Sequence, residues 1–462
     1  MQIADILRLA CTNKFFAAVC SDDTFWQRRL ETDFNFTGAG SARTSGWKFI
    51  YRGLFNPKVF VWGERSHGRL GLTRFPKSAL HDVPFPTQLR IPGVRIVSLV
   101  AGGMSFHALD SEGRIYVWGT LDGTTPALRS DGFSEAGKNA NTPLRLQMPT
   151  ATRSISCGRL HASSLDAEGQ IWTFPSWGRP FRLVSDFFTP PDSKPVQVEC
   201  GWGFSSVLTQ SGEVFIWWPF SGGMAARIQQ ANAEMDEQGD KKATALDDSI
   251  PCVTWDLNED PARLPSLPPL PVLPNAENED KPAQLIQIAA TFPRGSWEYL
   301  PAFSEVEQVR TGYSRLDLAP PQTMQITHIS ANFLHFIAYS TGSSSVVLIG
   351  DTDTRTESSP KVIPALQDKS IISVVLGDYH NVALTSNGKL LTWGAYSAGA
   401  LGLGDPTKLT PGTPGAFETE ERRMMAAERG WGEPPAVDIP TEVSSGRLAH
   451  GCPGHRLRAG RQ

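Results

Sequence analysis

The stretch AGGMSFHALDSEGRIYVWG, residues 101–119, contains the pattern that decides the fold. Gly102 is followed seven residues later by Leu109 and eleven residues later by a second glycine, Gly113. The residues HALD alternate in the manner of a half-buried β-strand, and IYVWG supplies a second strand that ends in Trp-Gly. The glycine between them permits the positive φ of a tight turn. The stretch therefore predicts a β-hairpin.

The same pattern recurs along the chain. Further copies are CGRLHASSLDAEGQIW (157–172), CGWGFSSVLTQSGEVFIW (200–217) and LGDYHNVALTSNGKLLTW (376–393). A weaker copy, SANFLHFIAYSTGSSSVVLIG (330–350), has Ala331 in the place of the first glycine. A period of roughly 40 to 55 residues built from strands is typical of β-propellers. The predicted structural glycines are Gly63, Gly102, Gly113, Gly119, Gly158, Gly169, Gly201, Gly212, Gly342, Gly377, Gly388 and Gly394.

Composition narrows the class of protein. Of 462 residues, 40% are hydrophobic and 19% charged, which suits a chain that buries a core, and the net charge of −4 gives no general attraction to nucleic acid or to anionic membranes. The six cysteines are scattered and form no C-x-x-C pair, which indicates reduced thiols and a cytoplasmic and/or nuclear location. No apolar stretch approaches the roughly 18 residues of a membrane span. We therefore expect no nucleic-acid or membrane partner.

A family resemblance adds to this reading. The paired glycines, the Trp-Gly endings and VFVWGERSHGRLGL (59–72), whose second half recurs in WGAYSAGALGLGD (393–405), resemble the repeat of the regulator of chromosome condensation (RCC-like below). The resemblance implies a mainly β fold, an RCC-like seven-bladed β-propeller, over residues 59–443. Residues 59–72 lack the G-x-x-x-x-G-K-[ST] pattern of a phosphate-binding loop, so we interpret them as a strand and turn.

Two of the seven units are incomplete in sequence. In LIQIAAT (285–291), Thr291 stands where the first glycine belongs, and no hairpin follows. After PTEV (440–443), residues 444–462 lose strand alternation, which predicts an aberrant or disordered tail. Either these departures belong to the protein, or the deduced sequence contains errors at both places.

The first 36 residues follow a different pattern. Apolar residues at helical spacing predict two or three short helices in residues 1–36, followed by a linker over 37–58. On periodicity alone this part is a small helical cap on the propeller. DILRLACTNKFFAAVCSDDTFWQRRL (5–30), however, resembles the second half of an F-box, without the helix that normally precedes it. A partial F-box implies binding to a Skp-like adaptor through Ile6, Leu7, Leu9, Lys14, Phe15, Phe16, Asp22, Asp23 and Trp26.

The order of F-box and RCC-like propeller resembles the fungal SCF-associated factor family. That resemblance implies a non-enzymatic substrate-recognition adaptor of an SCF-type E3 ubiquitin ligase. The propeller would bind the protein substrate, and the F-box would tether it to the Skp-like adaptor and through it to the cullin/RING ligase. The alternatives are an RCC-like exchange factor of a small GTPase, or a degenerate nonfunctional paralogue, as the two incomplete units suggest.

Two insertions interrupt the repeats, at about 221–282 and at 415–431. We interpret the proline series PARLPSLPPLPVLP (261–274) as part of a blade-to-blade insertion, with an SH3- or WW-domain docking site as the alternative, and we predict a surface helix in the second insertion that ends at Gly430. No metal, cofactor or catalytic site is predicted, because no catalytic motif is present and the histidines of the repeats are out of phase. These histidines are His107, His161, His335 and His380.

Overall fold

The computed structural model describes residues 3–36, 38, 43–75, 82–120, 140–238, 245–262, 296–430 and 432–443. The N-terminal part is helical, and the rest is mainly β-sheet. Its helices are α1 (Ile3–Ala10), α2 (Lys14–Val19), α3 (Asp23–Phe34), α4 (Trp47–Phe55), α5 (Gly222–Glu237), α6 (Val306–Arg315) and α7 (Glu420–Arg429). None of the described helices is long and apolar enough to cross a membrane.

The strands of the described residues form six sheets in chain order. Sheet 1 contains β1 (Val59–Glu64) and β2 (Asp82–Leu89); sheet 2 contains β3 (Ile96–Ala101), β4 (Ser105–Asp110), β5 (Ile115–Gly119) and β6 (Ala140–Gln147). Sheet 3 contains β7 (Thr152–Cys157), β8 (Ala162–Asp166), β9 (Ile171–Phe174) and β10 (Phe181–Val184). Sheet 4 contains β11 (Pro195–Cys200), β12 (Ser205–Thr209), β13 (Val214–Trp217) and β16 (Trp297–Tyr299). Two strands lie between β13 and β16 in the chain: β14 (Ser249–Pro251), which is the outermost strand of sheet 2, and β15 (Trp255–Asn258), which is the outermost strand of sheet 3.

The last two sheets repeat the same antiparallel order. Sheet 5 contains β17 (His328–Asn332), β18 (His335–Tyr339), β19 (Val347–Asp351) and β20 (Lys361–Val362). Sheet 6 contains β21 (Ile371–Leu376), β22 (His380–Thr385), β23 (Leu390–Gly394) and β24 (Val437–Glu442). From sheet 2 to sheet 6, the first strands of neighbouring sheets contact one another, so they lie innermost. This is the blade arrangement of a propeller, although the described sheets do not close into a ring.

The hairpin glycines behave as predicted. The second glycine of each copy has a positive φ, between 79° at Gly113 and 106° at Gly342. The first glycines lie where a Cβ would collide with a neighbour: at Gly201 with the ring of Phe204, and at Gly377 with the carbonyl oxygen of His380 in the same hairpin. A Cβ on Gly158 would lie 2.0 Å from the carbonyl oxygen of Gly201 in the next sheet. The positive-φ turn at the second glycines is confirmed, and the predicted close approach of backbones from neighbouring sheets is found at Gly158.

The number of sheets and one alignment differ from the prediction. The described residues give five sheets of four or five strands and one of two strands, whereas seven units were predicted. Thr291 and residues 444–462 lie outside the described residues. In sheet 5, Ala331 pairs with Phe336 as Cys200 pairs with Ser205 in sheet 4, so Asn332, not Ala331, takes the first-glycine position. His335 is therefore three residues after that position, in phase with His161 and His380.

The linker and the insertions contain more structure than was predicted. The predicted linker 37–58 contains helix α4. The insertion at 221–282 contains α5 and two strands that run parallel to the outer strands of sheets 2 and 3, as β14 beside β6 and β15 beside β10. The predicted helix of the second insertion is confirmed as α7, which ends at Gly430 with a φ of 65°. Most of the proline series lies outside the described residues.

The helical part packs on sheet 2. Buried side chains of α3 and α4, including Leu30, Phe34 and Tyr51, belong to one apolar cluster with Leu109 and Val117 of sheet 2. Asn35 donates an amide hydrogen bond from Nδ2 to the carbonyl oxygen of Thr152 at 2.7 Å. The helices are therefore held against the propeller by a continuous core and not by a bare tether.

Candidate protein-binding surfaces

Helices α1 and α2 expose three large apolar side chains. Leu7 is 47% exposed, Phe15 69% and Val19 52%, and α1 packs against α2. Phe15 and Val19 lie four residues apart, so they share one face of α2. We call these three residues the α1–α2 patch. Large apolar side chains exposed on two packed helices are a common mark of a protein-binding surface.

Caps fix the two helix starts that flank the patch. The side chain of Asn13 accepts a hydrogen bond from the Phe16 backbone N–H at 2.9 Å, where α2 begins. Asp22 does the same for the Phe25 N–H at 2.8 Å, where α3 begins. Each such cap typically stabilises its helix by about 1 kcal/mol. The loops on both sides of α2 are thus held in defined conformations.

Hydrogen bonds hold helix α4 against α3, and together with α1 and α2 these helices form the N-terminal helical module. One carboxylate oxygen of Asp23 accepts hydrogen bonds from the backbone N–H groups of Gly46 and Trp47, each at 3.0 Å. Trp26 is buried and donates from Nε1 to the carbonyl oxygen of Cys20 at 2.8 Å. The Tyr51 hydroxyl donates to Asp33 at 2.6 Å.

Burial, followed by that hydrogen bond to Asp33, raises the pKa of Tyr51 to about 12. The hydroxyl therefore stays protonated and keeps donating at neutral pH.

The residues predicted to contact an adaptor fall into four groups. Leu7, Lys14 and Phe15 are exposed, and Leu9 and Phe16 are partly buried. Ile6 and Trp26 belong to the core of the module, so their side chains hold the helices together. Asp22 and Asp23 hydrogen-bond backbone groups as described above. Contact of any of these residues with an adaptor stays a prediction. Val19 was not predicted, although its spacing of four from Phe15 was visible in the sequence.

A second surface lies on the propeller, at the turns between the first and second strands of sheets 3 to 6. The Arg159 guanidinium lies 4.3 Å from the centroid of the Trp202 ring. Trp202 packs on Phe333 with ring centroids 4.9 Å apart, and Phe333 lies 6.0 Å from Tyr379, which is 62% exposed. We call these four residues the aromatic arc. The sequence signal was available, because each residue follows the first-glycine position of its repeat by one or two residues.

Below the arc, the core of sheets 3 and 4 is polar. His161 Nε2 lies 2.6 Å from Ser205 Oγ, which also lies 2.9 Å from Ser163 Oγ. Burial lowers the pKa of His161 to about 3, and it lowers the pKa of His107 to the same value. Both imidazoles are therefore neutral near pH 7 and serve the packing of the strands. Within the part of the chain that the structure describes, no group of three His, Cys, Asp or Glu could hold a metal ion.

Comparisons with known proteins support the class of fold. The family model for the "Regulator of chromosome condensation (RCC1) repeat" matches residues 371–397, which cover β21 to β23 and the turn after them. The protein RCC1 of Candida albicans is 24% identical over 399 residues, covering 78% of this chain and 73% of that protein. The human E3 ubiquitin-protein ligase HERC2 is 23% identical over 377 residues, covering 74% of this chain but 7% of the ligase.

Among solved structures, Prp20p of Saccharomyces cerevisiae is similar, with 16% identity over 88% of this chain and 90% of that one and a TM-score of 0.38. The chain therefore contains an RCC1 repeat at residues 371–397 and is similar over most of its length to proteins built from such repeats. The F-box, the SCF-associated factor family and the predicted cytoplasmic or nuclear location stay predictions.

Proposed function

We propose that the chain is a non-enzymatic substrate-recognition adaptor of an SCF-type ubiquitin ligase. The α1–α2 patch would bind a Skp-like adaptor, and through it the cullin/RING ligase. The aromatic arc would hold the protein to be modified. The adaptor contributes proximity, because linking two binding surfaces on one rigid body raises the effective concentration of the substrate at the ligase.

One observation carries the proposal: Leu7, Phe15 and Val19 on α1 and α2 are exposed, while Ile6 on α1 and Trp26 on α3 are buried. An isolated structural cap would be expected to turn its large apolar side chains toward the propeller. Here the buried set already joins the core with sheet 2, and a second apolar set remains free. The helical module therefore has one face for the propeller and another for a partner.

The test is co-purification of the chain with a fungal Skp adaptor. Phe15→Asp should abolish capture, because loss of one buried aromatic contact is worth about 1.5–3 kcal/mol, or roughly 10- to 100-fold in affinity. The matched control is Phe49→Asp on α4, which changes a side chain of similar exposure outside the patch and should leave capture intact. Equal capture by both variants, or no capture by the unchanged chain, would contradict the proposal.

A second candidate function is exchange-factor activity toward a small GTPase. The observation in its favour is that the chain spans 73% of the Candida RCC1 but 7% of HERC2. The Prp20p structure is described together with binding properties to Gsp1p and histones. Faster release of labelled nucleotide from Gsp1p in the presence of the chain, lost in Trp202→Ala, would favour this function. Release at the rate of the GTPase alone would exclude it.

A further inference from the structure

Sheet 1 contains half of a blade. Its strand β1 ends in VFVWG, as β5 ends in IYVWG and β23 in LLTWG, so β1 is a third strand and β2 a fourth. The register irregularity before the glycine is also shared, between Val61 and Gly63 in β1 and between Val117 and Gly119 in β5. Among the described residues, no first or second strand pairs with β1.

The inner edge of β1 offers backbone hydrogen bonds. In sheet 2, hydrogen bonds from Asp110 N to Arg114 O and from Thr120 N to Met104 O frame the pairing of β4 with β5. Hydrogen-bonded and non-hydrogen-bonded residue pairs alternate along antiparallel strands, so Tyr116 and Trp118 of β5 are the residues that exchange hydrogen bonds with β4. Their equivalents in β1 are Phe60 and Trp62. The N–H and C=O groups of these two residues therefore point outward from the edge of β1 that pairs with no described strand.

Among the described residues, nothing occupies the space beside that edge. A Cβ on Gly119 would lie 2.4 Å from the carbonyl oxygen of Met104, and a Cβ on Gly394 would lie 2.4 Å from that of Tyr379, because the second strand begins there. At Gly63 no described atom comes within 4 Å of the same position. The place of the second strand beside β1 is thus vacant in the described part of the chain.

An exposed apolar side chain, that of Leu99, lies beside the unoccupied position. Leu99 lies on the first strand of sheet 2, three residues before the glycine position. It is 43% exposed, whereas the equivalent residues of the other sheets, Ile155, Val198, Ile329 and Val374, are 9% exposed or less. Those residues are covered by the inner strands of the preceding sheet. Leu99 faces the position that a first and a second strand of sheet 1 would take, and that position is unoccupied in the part of the chain that the structure describes.

The charge at one end of the edge is also defined. The residue before β5 is Arg114, and its Nε lies 2.7 Å from Oδ2 of Asp110, the last residue of the second strand β4. The equivalent residue before β1 is Lys58, which is exposed. A second strand that fits β1 as β4 fits β5 therefore ends in a carboxylate opposite Lys58.

We propose that this vacant half-blade, the β1 slot, binds an extended segment of a protein partner by β-strand addition. The segment pairs antiparallel with Phe60 and Trp62, packs alternate apolar side chains on Leu99, and places an Asp or Glu at its C-terminal end opposite Lys58. Main-chain hydrogen bonds along an exposed sheet edge are a known mode of peptide recognition.

The probe is a synthetic, fluorescently labelled peptide of residues 96–112, IVSLVAGGMSFHALDSE, which contains the first and second strands of sheet 2. Binding to the full chain is measured by anisotropy. Leu99→Asp in the full chain should weaken peptide binding about tenfold or more, because a charge replaces the apolar side chain on which the peptide packs. Val196→Asp is the matched control, since Val196 is similarly exposed on a first strand that has a full blade around it, and binding should not change.

Charge reversal tests the predicted end of the segment. Lys58→Glu should weaken binding about two- to fivefold, the usual range for an exposed ion pair, and a peptide carrying Asp110→Lys should restore it. Slower hydrogen exchange at the amides of Phe60 and Trp62 with peptide bound would support the proposal. It is overturned if no binding is found, if both aspartate variants weaken it equally, or if the peptide binds only after residues 444–462 are removed, since the chain's own end would then occupy the slot.

Discussion

Glu199 makes the stability of the propeller depend on pH. It lies on β11, an innermost strand, where its carboxylate accepts hydrogen bonds from Ser156 Oγ and Gln197 Nε2, both at 2.9 Å. Burial raises its pKa from an ordinary 4.5 to about 7, although the two hydrogen bonds act in the opposite direction. Because the folded protein holds this proton more tightly than the unfolded chain, ionisation of Glu199 costs folding free energy.

The expected loss of stability follows from the size of the shift. The free energy of unfolding should fall as pH rises from about 4.5 to about 7 and should then level off, since the folded state binds more protons in that window. At 1.36 kcal/mol per pKa unit, a shift of this size corresponds to about 3 kcal/mol at most. Glu199 is only partly buried, so solvent screening reduces the expected loss to about 1–2 kcal/mol.

The assay is urea unfolding of the chain and of Glu199→Gln at pH 5 and pH 8.5. The amide keeps the shape and has no charge to desolvate, so the variant should gain about 1–2 kcal/mol relative to the unchanged chain between the two pH values. Glu168→Gln, at an exposed turn, is the matched control and should show no such difference. The reasoning is refuted if Glu199→Gln and the unchanged chain lose stability in parallel.

Three further substitutions test the packing. Gly158→Ala should destabilise the fold by about 3 kcal/mol or more, because its Cβ would meet the Gly201 carbonyl. Gly53→Ala in α4, where no described atom lies within 4 Å of the new Cβ, should stabilise the fold by about 0.5–1 kcal/mol. If thermal unfolding ranks the two variants otherwise, the close approach at Gly158 is contradicted. Trp26→Phe should cost about 1–3 kcal/mol by leaving the Cys20 carbonyl without its donor, and an unchanged unfolding midpoint would speak against that hydrogen bond.

The repeat was predictable from the sequence because its glycines serve backbone geometry. Gly113 and Gly388 have positive φ, and Gly158 has no room for a Cβ, so few other residues fit there. The alignment of sheet 5 was wrong by one residue because its turn has a different length and Asn332 replaces the glycine. Counting back the fixed spacing of eleven residues from Gly342 therefore gives Ala331 instead of Asn332.

The edges of the blades were harder to predict for a physical reason. Residues 249–251 and 255–258 are short outer strands without alternation, and their pairing depends on contacts with residues far away in sequence. Helix α4 was hidden in a predicted linker, although it is held by Asp23 across the module. Likewise, the exposure of Phe15 and Leu99 depends on which neighbours are present, and that is a property of the assembled fold.

The two outer strands β14 and β15 bear on the order in which the protein can fold during synthesis. Ser249 pairs with Arg145 of sheet 2, and Trp255 pairs with Phe181 of sheet 3. Strands β11 to β13 of sheet 4 and helix α5 precede β14 and β15 in the chain, so the ribosome must release them before sheets 2 and 3 can acquire their outermost strands. Until then, the outer edges of sheets 2 and 3 on the nascent chain are open to pairing with other strands.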